Sequence, residues 1–127
     1  MNPEVSDQTK IETLTRHWQR LADLGWLTIK NVFSEDPSPD PQDIAWTTTD
    51  WEYRRTEITW YLPRVAELEL QELEETVVHE LAHALVAPME ENLTEKHRKV
   101  CEFAVESVAR ALLAVKHTPN SPEWKPR

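Results

Sequence analysis

The chain has 127 residues, 39% of them hydrophobic, and a formal net charge of −9, which is enough length for one domain with a buried core. The negative charge argues against a nucleic-acid-binding surface, the single cysteine (Cys101) excludes an internal disulfide, and no apolar run approaches the ~20 residues that a membrane span needs. Residues 1–10 lack the basic and apolar segments of a secretory signal, so we expect a cytoplasmic protein with neither a nucleic-acid nor a membrane partner.

The first half of the chain predicts one helix followed by three strands. Ser6 can cap a helix over residues 7–24, and Gly25 behind it is suited to the left-handed conformation that often follows a helix. Alternating apolar residues and an enrichment in β-branched and aromatic side chains predict three strands, at residues 26–33, 44–49 and 55–62. A proline-rich acidic loop separates the first two strands.

The second half predicts two long helices, at residues 65–87 and 95–116. Pro88 is expected to end the first of them, because proline cannot continue a helix. Five glutamates crowd the start of this helix, and we interpret them as a solvated face: Glu67, Glu69, Glu72, Glu74 and Glu75. Apolar spacing predicts that the buried stripe of the last helix comprises Val100, Ala104, Val108, Ala111, Leu112 and Val115.

Strands and helices are segregated along the chain, which indicates an α+β fold. We expect an N-terminal helix, a small antiparallel sheet of about three strands packed on the helices, and two C-terminal helices. A single domain is predicted over residues 1–117, followed by a Pro-rich extended or disordered tail at residues 118–127.

The sequence HELAH in the first long helix carries the pattern H-E-x-x-H. Residues four apart share a helix face, so the imidazoles of His79 and His83 can converge on one tetrahedral zinc ion. Glu80 points about 100° away around the helix axis, where it can reach a water on that ion and act as general base. The other interpretation of the motif is a core helix whose two histidines are satisfied by hydrogen bonds.

A catalytic zinc keeps three protein ligands and an open position for water, so a third ligand is needed. Eighteen residues lie between His83 and Glu102, enough for a turn and an antiparallel return helix that brings Glu102 beside the histidines. Glu106, one turn further, could hold the outer N–H of a histidine. His97, near the start of the same helix, is the rival third ligand.

The segments VVHELAHALVAP and EFAVESVARALL together resemble the small zincin metallopeptidases. The resemblance is to the minimal gluzincin-like proteins related to the ImmA/IrrE group and to phage- or prophage-encoded relatives, and it covers residues 77–113. It implies a zincin-like fold, the zinc ligands His79, His83 and Glu102, and Glu80 as the base. HELAH also resembles SprT-like zincins, in which a histidine on the following segment is the third ligand, so His97 stays an alternative.

These observations predict a zinc-dependent metallopeptidase that hydrolyses a peptide or protein substrate with a zinc-activated water and Glu80 as general base. We expect an extended substrate to pair with the edge of the strand at residues 55–62. One alternative is a zincin-fold regulatory or interaction protein that holds zinc with little or no proteolytic turnover. Another is a helical adaptor without a metal.

Overall fold

The computed structural model describes residues 5–40, 42–90 and 94–117, and its architecture is α+β. In chain order the elements are α1 (Asp7–Leu21), β1 (Thr28–Ser34), β2 (Ala45–Asp50), a 3₁₀ turn (Trp51–Tyr53), β3 (Arg55–Tyr61), the short helix α2 (Leu62–Val65), α3 (Leu70–Glu90) and α4 (Glu95–His117). The α+β prediction is therefore confirmed, whereas the predicted tail at residues 118–127 lies outside the described residues. Within the described ranges, no helix is both long and apolar enough to cross a membrane.

The sheet is mixed, and its strand order is β1-β3-β2. β3 pairs antiparallel with β2, to which the 3₁₀ turn joins it, and parallel with β1. The prediction of an antiparallel sheet is wrong for the β1–β3 pair, because the chain passes from one edge of the sheet to the other before β3 returns between them. The substrate edge predicted at residues 55–62 is also wrong, since β3 is the central strand and is paired on both sides.

The core lies between one face of the sheet and the helices. In β3, alternate side chains point to this face, and Thr56, Ile58 and Trp60 are buried. Helix α3 packs against α1, β2 and α4, so it is the central element of the core. Its buried apolar side chains include Leu73, Val77, Val78, Leu81 and Ala82.

Helix α1 ends earlier than the sequence predicts. Ser6 caps its start by accepting a hydrogen bond from the backbone N–H of Thr9, as predicted. At the other end Leu24 N–H donates to Gln19 C=O and Asp23 N–H to Arg20 C=O, which is the hydrogen-bond pattern of a Schellman motif. Asp23, not Gly25, takes the left-handed conformation with φ 56°, because the last helical turn closes at Leu21.

Helix α3 continues past Pro88 to Glu90, so the prediction that Pro88 ends it is wrong. Proline removes one backbone donor, and two residues from a helix end that loss affects only a single hydrogen bond. The predicted helix at residues 65–87 also begins differently. Leu62–Val65 forms the separate short helix α2, and α3 starts at Leu70.

Helix α4 is rotated by about one residue from the orientation that the apolar pattern predicts. Its buried positions are Cys101, Val105 and Ala109, while Val100 and Val115 of the predicted stripe are 64% and 69% exposed. The apolar pattern misleads because both faces of α4 carry apolar residues. The rotation matters for function, because Glu102 and Glu106 each follow a buried residue and lie at the border that faces α3.

The interpretation of the five glutamates as a solvated face is wrong for Glu74, which is only 7% exposed. Its Oε2 accepts a hydrogen bond of 3.1 Å from Trp18 Nε1 on α1 and another from Lys116 Nζ on α4. Lys116 Nζ also lies 5.4 Å from the centre of the Trp18 ring. This buried cluster ties α1 and α4 to the first half of α3.

Candidate metal centre

The two histidines of HELAH lie side by side on α3. The ring centroids of His79 and His83 are 4.8 Å apart, and both side chains are partly exposed. Residues four apart on a helix are neighbours on one face, which produces this arrangement. The buried residues that flank them, among them Val78 and Ala82, hold the helix in the core while the imidazoles point out of it.

Glu102 on α4 completes a group that could hold a metal ion. One ligand atom each from His79, His83 and Glu102 lies within 4.8 Å of the other two, and this is the only such group in the described part of the chain. The distance between His83 Nε2 and Glu102 Oε1 is 4.0 Å. The return of α4 along α3 therefore brings Glu102 beside the histidines, as the spacing predicts.

Glu106 lies one turn further along α4, beside the first histidine. Its Oε1 is 3.0 Å from His79 Nδ1, which is hydrogen-bond distance. Such a contact fixes the orientation and tautomer of the ring, and Nε2 then remains to bind an ion. This is the position that the sequence predicts for a carboxylate supporting a metal-binding histidine.

His97, the rival third ligand, is not part of this group. It is exposed near the start of α4, and its Nδ1 lies 2.9 Å from the hydroxyl of Thr94. One turn of helix and more separates it along α4 from Glu102. The structure therefore brings the glutamate of α4 to the two histidines and leaves His97 in a local contact with its own helix start.

Glu80 points away from the histidines toward the sheet and is only 6% exposed. Its Oε2 accepts a short hydrogen bond from the hydroxyl of Thr47, on the inner face of β2. Burial raises the pKa of the Glu80 carboxyl, while the Thr47 hydrogen bond and the nearby imidazoles of His83 and His79 act in the opposite direction. A raised pKa suits a carboxylate that must both take up and release a proton near neutral pH.

Asp43, just before β2, is a further acid beside this group, and the sequence did not single it out. Its charge contributes to the raised pKa of Glu80. The pKa of Asp43 is itself raised, by burial and then by the charges of Asp40 and Glu102. Asp43 thus repels both Glu80 and Glu102 beside the two histidines. A cation between them would relieve that repulsion and favour their ionised forms.

The donor set suits a divalent metal. Two imidazoles and one carboxylate are the ligands of many catalytic zinc sites, although the same donors also bind other divalent transition metals. Donors of a tetrahedral zinc at about 2.0–2.1 Å lie roughly 3.3 Å from one another, so the present separations of up to 4.8 Å need only small side-chain rotations to close. Both histidines are partly exposed and Glu102 is exposed, so the three side chains are not enclosed in the core.

An open cleft of about 570 Å³ reaches this group from the side of His79, Glu80 and Glu106. The start of α3, the C-terminal half of α4 and the residues just before β2 form its walls. Acidic side chains dominate its polar lining, and Arg110 is the one basic residue among the residues that line it. The cleft gives a ligand access to the candidate metal centre.

Comparisons with family models, with curated proteins and with solved structures find no match to this chain. The function of the chain is therefore inferred from the residues of the site and their geometry. Two residues of the site, Thr47 and Asp43, were not predicted from the sequence. Alternation along β2 could have placed Thr47 with Ala45 on the inner face, whereas Asp43 has no local pattern that marks it.

Proposed function

We propose that the chain is a zinc-dependent metallopeptidase. The observation that carries the proposal is the approach of His79, His83 and Glu102 to within 4.8 Å beside the buried carboxylate of Glu80. A site that only stabilised the fold would be closed by a fourth protein ligand, whereas the described residues offer three ligands next to an open cleft, which leaves a position for water. The likeness of HELAH and the α4 segment to small zincins supports the same function.

In this proposal His79, His83 and Glu102 would hold a zinc ion, which would supply an acidic water and a polarising charge for the carbonyl of the scissile peptide bond. Glu80 would accept a proton from the attacking water and deliver it to the leaving amine. Thr47 donates to one oxygen of the Glu80 carboxylate and holds it against β2, and Glu80 is also one of the residues that line the cleft. Glu106 keeps the ring of His79 in the orientation that directs Nε2 to the ion.

An extended peptide can reach the centre along β2. This strand is an edge of the described sheet, and its Thr47 contacts Glu80 directly. Edge strands present backbone donors and acceptors that can pair with a bound peptide. β2 therefore replaces β3 as the strand that we propose for substrate pairing.

Metal analysis of the protein purified without a His tag is the first test. We expect one equivalent of zinc and a lower melting temperature after chelation, because a ligand that binds only the folded state stabilises it. The absence of zinc, together with an unchanged melting temperature, would refute the metal centre and leave the adaptor alternative.

Cleavage of a peptide library, with Glu80→Gln as the matched variant, tests catalysis. The variant should keep its zinc and lose at least about 100-fold in turnover, since general base catalysis contributes 10²–10⁴-fold. If the zinc-loaded protein cleaves nothing, or the variant cleaves equally well, the regulatory or interaction alternative replaces the peptidase.

A further inference from the structure

We propose that the cleft beside the metal centre selects a lysine or arginine side chain in the substrate, next to the bond that is cut. This inference rests on the proposed peptidase function and adds its substrate class. Three features of the cleft carry it: its position relative to His79, the apolar surface along its wall and the carboxylates at its far end.

The position follows from helix geometry. Glu72, Thr76 and His79 line the cleft from successive turns of one face of α3, and Glu75 lies between them. At a rise of 1.5 Å per residue, Glu75 lies about 6 Å and Glu72 about 10 Å along the helix axis from His79. A peptide whose scissile carbonyl is at the metal centre can therefore direct a long neighbouring side chain along α3 toward both carboxylates.

Three apolar side chains lie among the polar residues of the wall between these points. Leu68, Ala109 and Leu113 line the cleft, and each packs against or belongs to the hydrophobic core. The methylene stem of lysine or arginine can cover such a surface while its charged end stays polar and solvated. A short side chain would leave this surface in contact with water, and an acidic one would place its charge beside Glu72 and Glu75.

The carboxylates at the far end can receive a cation. Glu72 accepts a hydrogen bond from the backbone N–H of Glu69, and Glu75 from the side-chain amide of Gln71 at 3.5 Å. Both donors are neutral, so neither bond neutralises the charge. The other two glutamates of the cleft have different roles, because Glu80 contacts Thr47 and Glu106 contacts His79. Glu72 and Glu75 are therefore the specificity-determining pair.

The test uses short peptides that carry a zinc-binding hydroxamate at one end. In one series the hydroxamate follows the test residue and in the other it precedes it, so that both directions along the cleft are sampled. The test residue is lysine, norleucine or glutamate, and lysine and norleucine differ almost only in the ammonium group. Dissociation constants are measured on the zinc-loaded protein and on the double variant Glu72→Gln, Glu75→Gln, with Glu12→Gln on α1 as a control of equal charge change per site.

We expect lysine to bind about tenfold more tightly than norleucine in at least one series, since two partly exposed ion pairs each contribute modestly. Glutamate should bind most weakly. The double variant should reduce the lysine preference to about twofold or less without changing the affinity for norleucine, and Glu12→Gln should leave it intact. Raising the salt concentration should weaken the lysine preference, because exposed charges are screened.

Equal binding of lysine and norleucine in both series, or a lysine preference that survives in the double variant, would overturn the inference while leaving the metal centre in place. If no hydroxamate binds although zinc is present in stoichiometric amount, the open catalytic site itself is refuted. Unchanged norleucine binding and zinc content in the double variant show that it is folded, so a lost lysine preference can then be assigned to the two carboxylates.

Discussion

Both ends of the α3–α4 pair carry glutamates, but these differ in burial and in the groups that face their negative charge. At one end Glu74 is closed in the core and its carboxylate meets the ammonium of Lys116. At the other end Glu102 and Glu106 are largely exposed and face His83 and His79. The first arrangement contains its own cation and holds the helices together. The second places acids around two imidazole rings, an arrangement that suits an added cation.

Removing Glu102, the proposed third zinc ligand, should have the largest effect on metal binding. Glu102→Ala is expected to lower zinc affinity by more than about 100-fold, because a ligand contributes more than the outer carboxylates, whose loss costs 10–100-fold. His97→Ala is the control and should change the affinity less than twofold. Competition with a chromophoric chelator measures both. A larger loss in His97→Ala would favour the SprT-like arrangement.

Removing the charge of Lys116 should destabilise the fold without abolishing metal binding at the proposed centre. Lys116→Met removes the ammonium group that faces the buried Glu74 carboxylate, and we expect a loss of about 3 kcal/mol in the free energy of unfolding. Urea unfolding of the metal-free protein measures it. Lys10→Met, which breaks only the exposed pair with Asp7, should cost less than about 0.5 kcal/mol.

The double variant Glu74→Gln, Lys116→Met tests whether the buried charge of Glu74 causes this loss of stability. It removes both charges and keeps an acceptor for Trp18 Nε1, so it should recover much of the stability that Lys116→Met loses. If the single and the double variant are equally unstable, the buried charge is not the cause. Zinc affinity at a temperature well below unfolding should remain within a few-fold of the original in both variants.

Glu106 should have an intermediate effect. Glu106→Gln keeps a hydrogen-bond acceptor near His79 but loses the carboxylate charge, so we expect zinc affinity to fall by about tenfold. Glu12→Gln carries the same charge change on α1 and should have no effect. An unchanged affinity in Glu106→Gln would mean that the contact with His79 does not support metal binding.

Thr47 should show the smallest effect, and on turnover alone. Thr47→Val removes the hydroxyl that donates to Glu80, and the loss of one hydrogen bond corresponds to about 1 kcal/mol, or roughly fivefold in rate. Zinc content should not change. Thr48→Val, on the exposed face of the same strand, is the matched control. A loss of zinc in Thr47→Val would show that the residue supports the metal centre and not the base.

The sequence predicted the half of the site that depends on local spacing. His79 and His83 share a helix face at any position in a fold, and an antiparallel return helix brings Glu102 to them for simple geometric reasons. The contact between Thr47 and Glu80 could not be predicted, because it depends on the register of β2 against α3. Asp43 likewise reaches the site only through the course of the chain before β2.

The burial of Glu74 could not be predicted from the sequence for a related reason. Its neighbours Glu72 and Glu75 are exposed, and the local pattern therefore predicted a solvated face for the whole segment. Its partners are far away in the chain: Trp18 is 56 residues before it and Lys116 is 42 residues after it. The strand pairing could not be predicted for the same reason. The parallel β1–β3 ladder follows from the crossing of the chain between sheet edges, and no strand's own composition indicates it.

The order β1-β3-β2 sets a sequence of events for folding. Asp50 pairs with Arg55 across a tight turn, whereas Thr28 pairs with Arg55 from 27 positions earlier in the chain. Closing the short loop costs less chain entropy, so we expect the β2–β3 hairpin to form before β1 joins it. In pulse-labelling hydrogen exchange, amides of β2 and β3 should be protected ahead of those of β1. Thr47 would then be in place on a formed strand before the first edge of the sheet is complete.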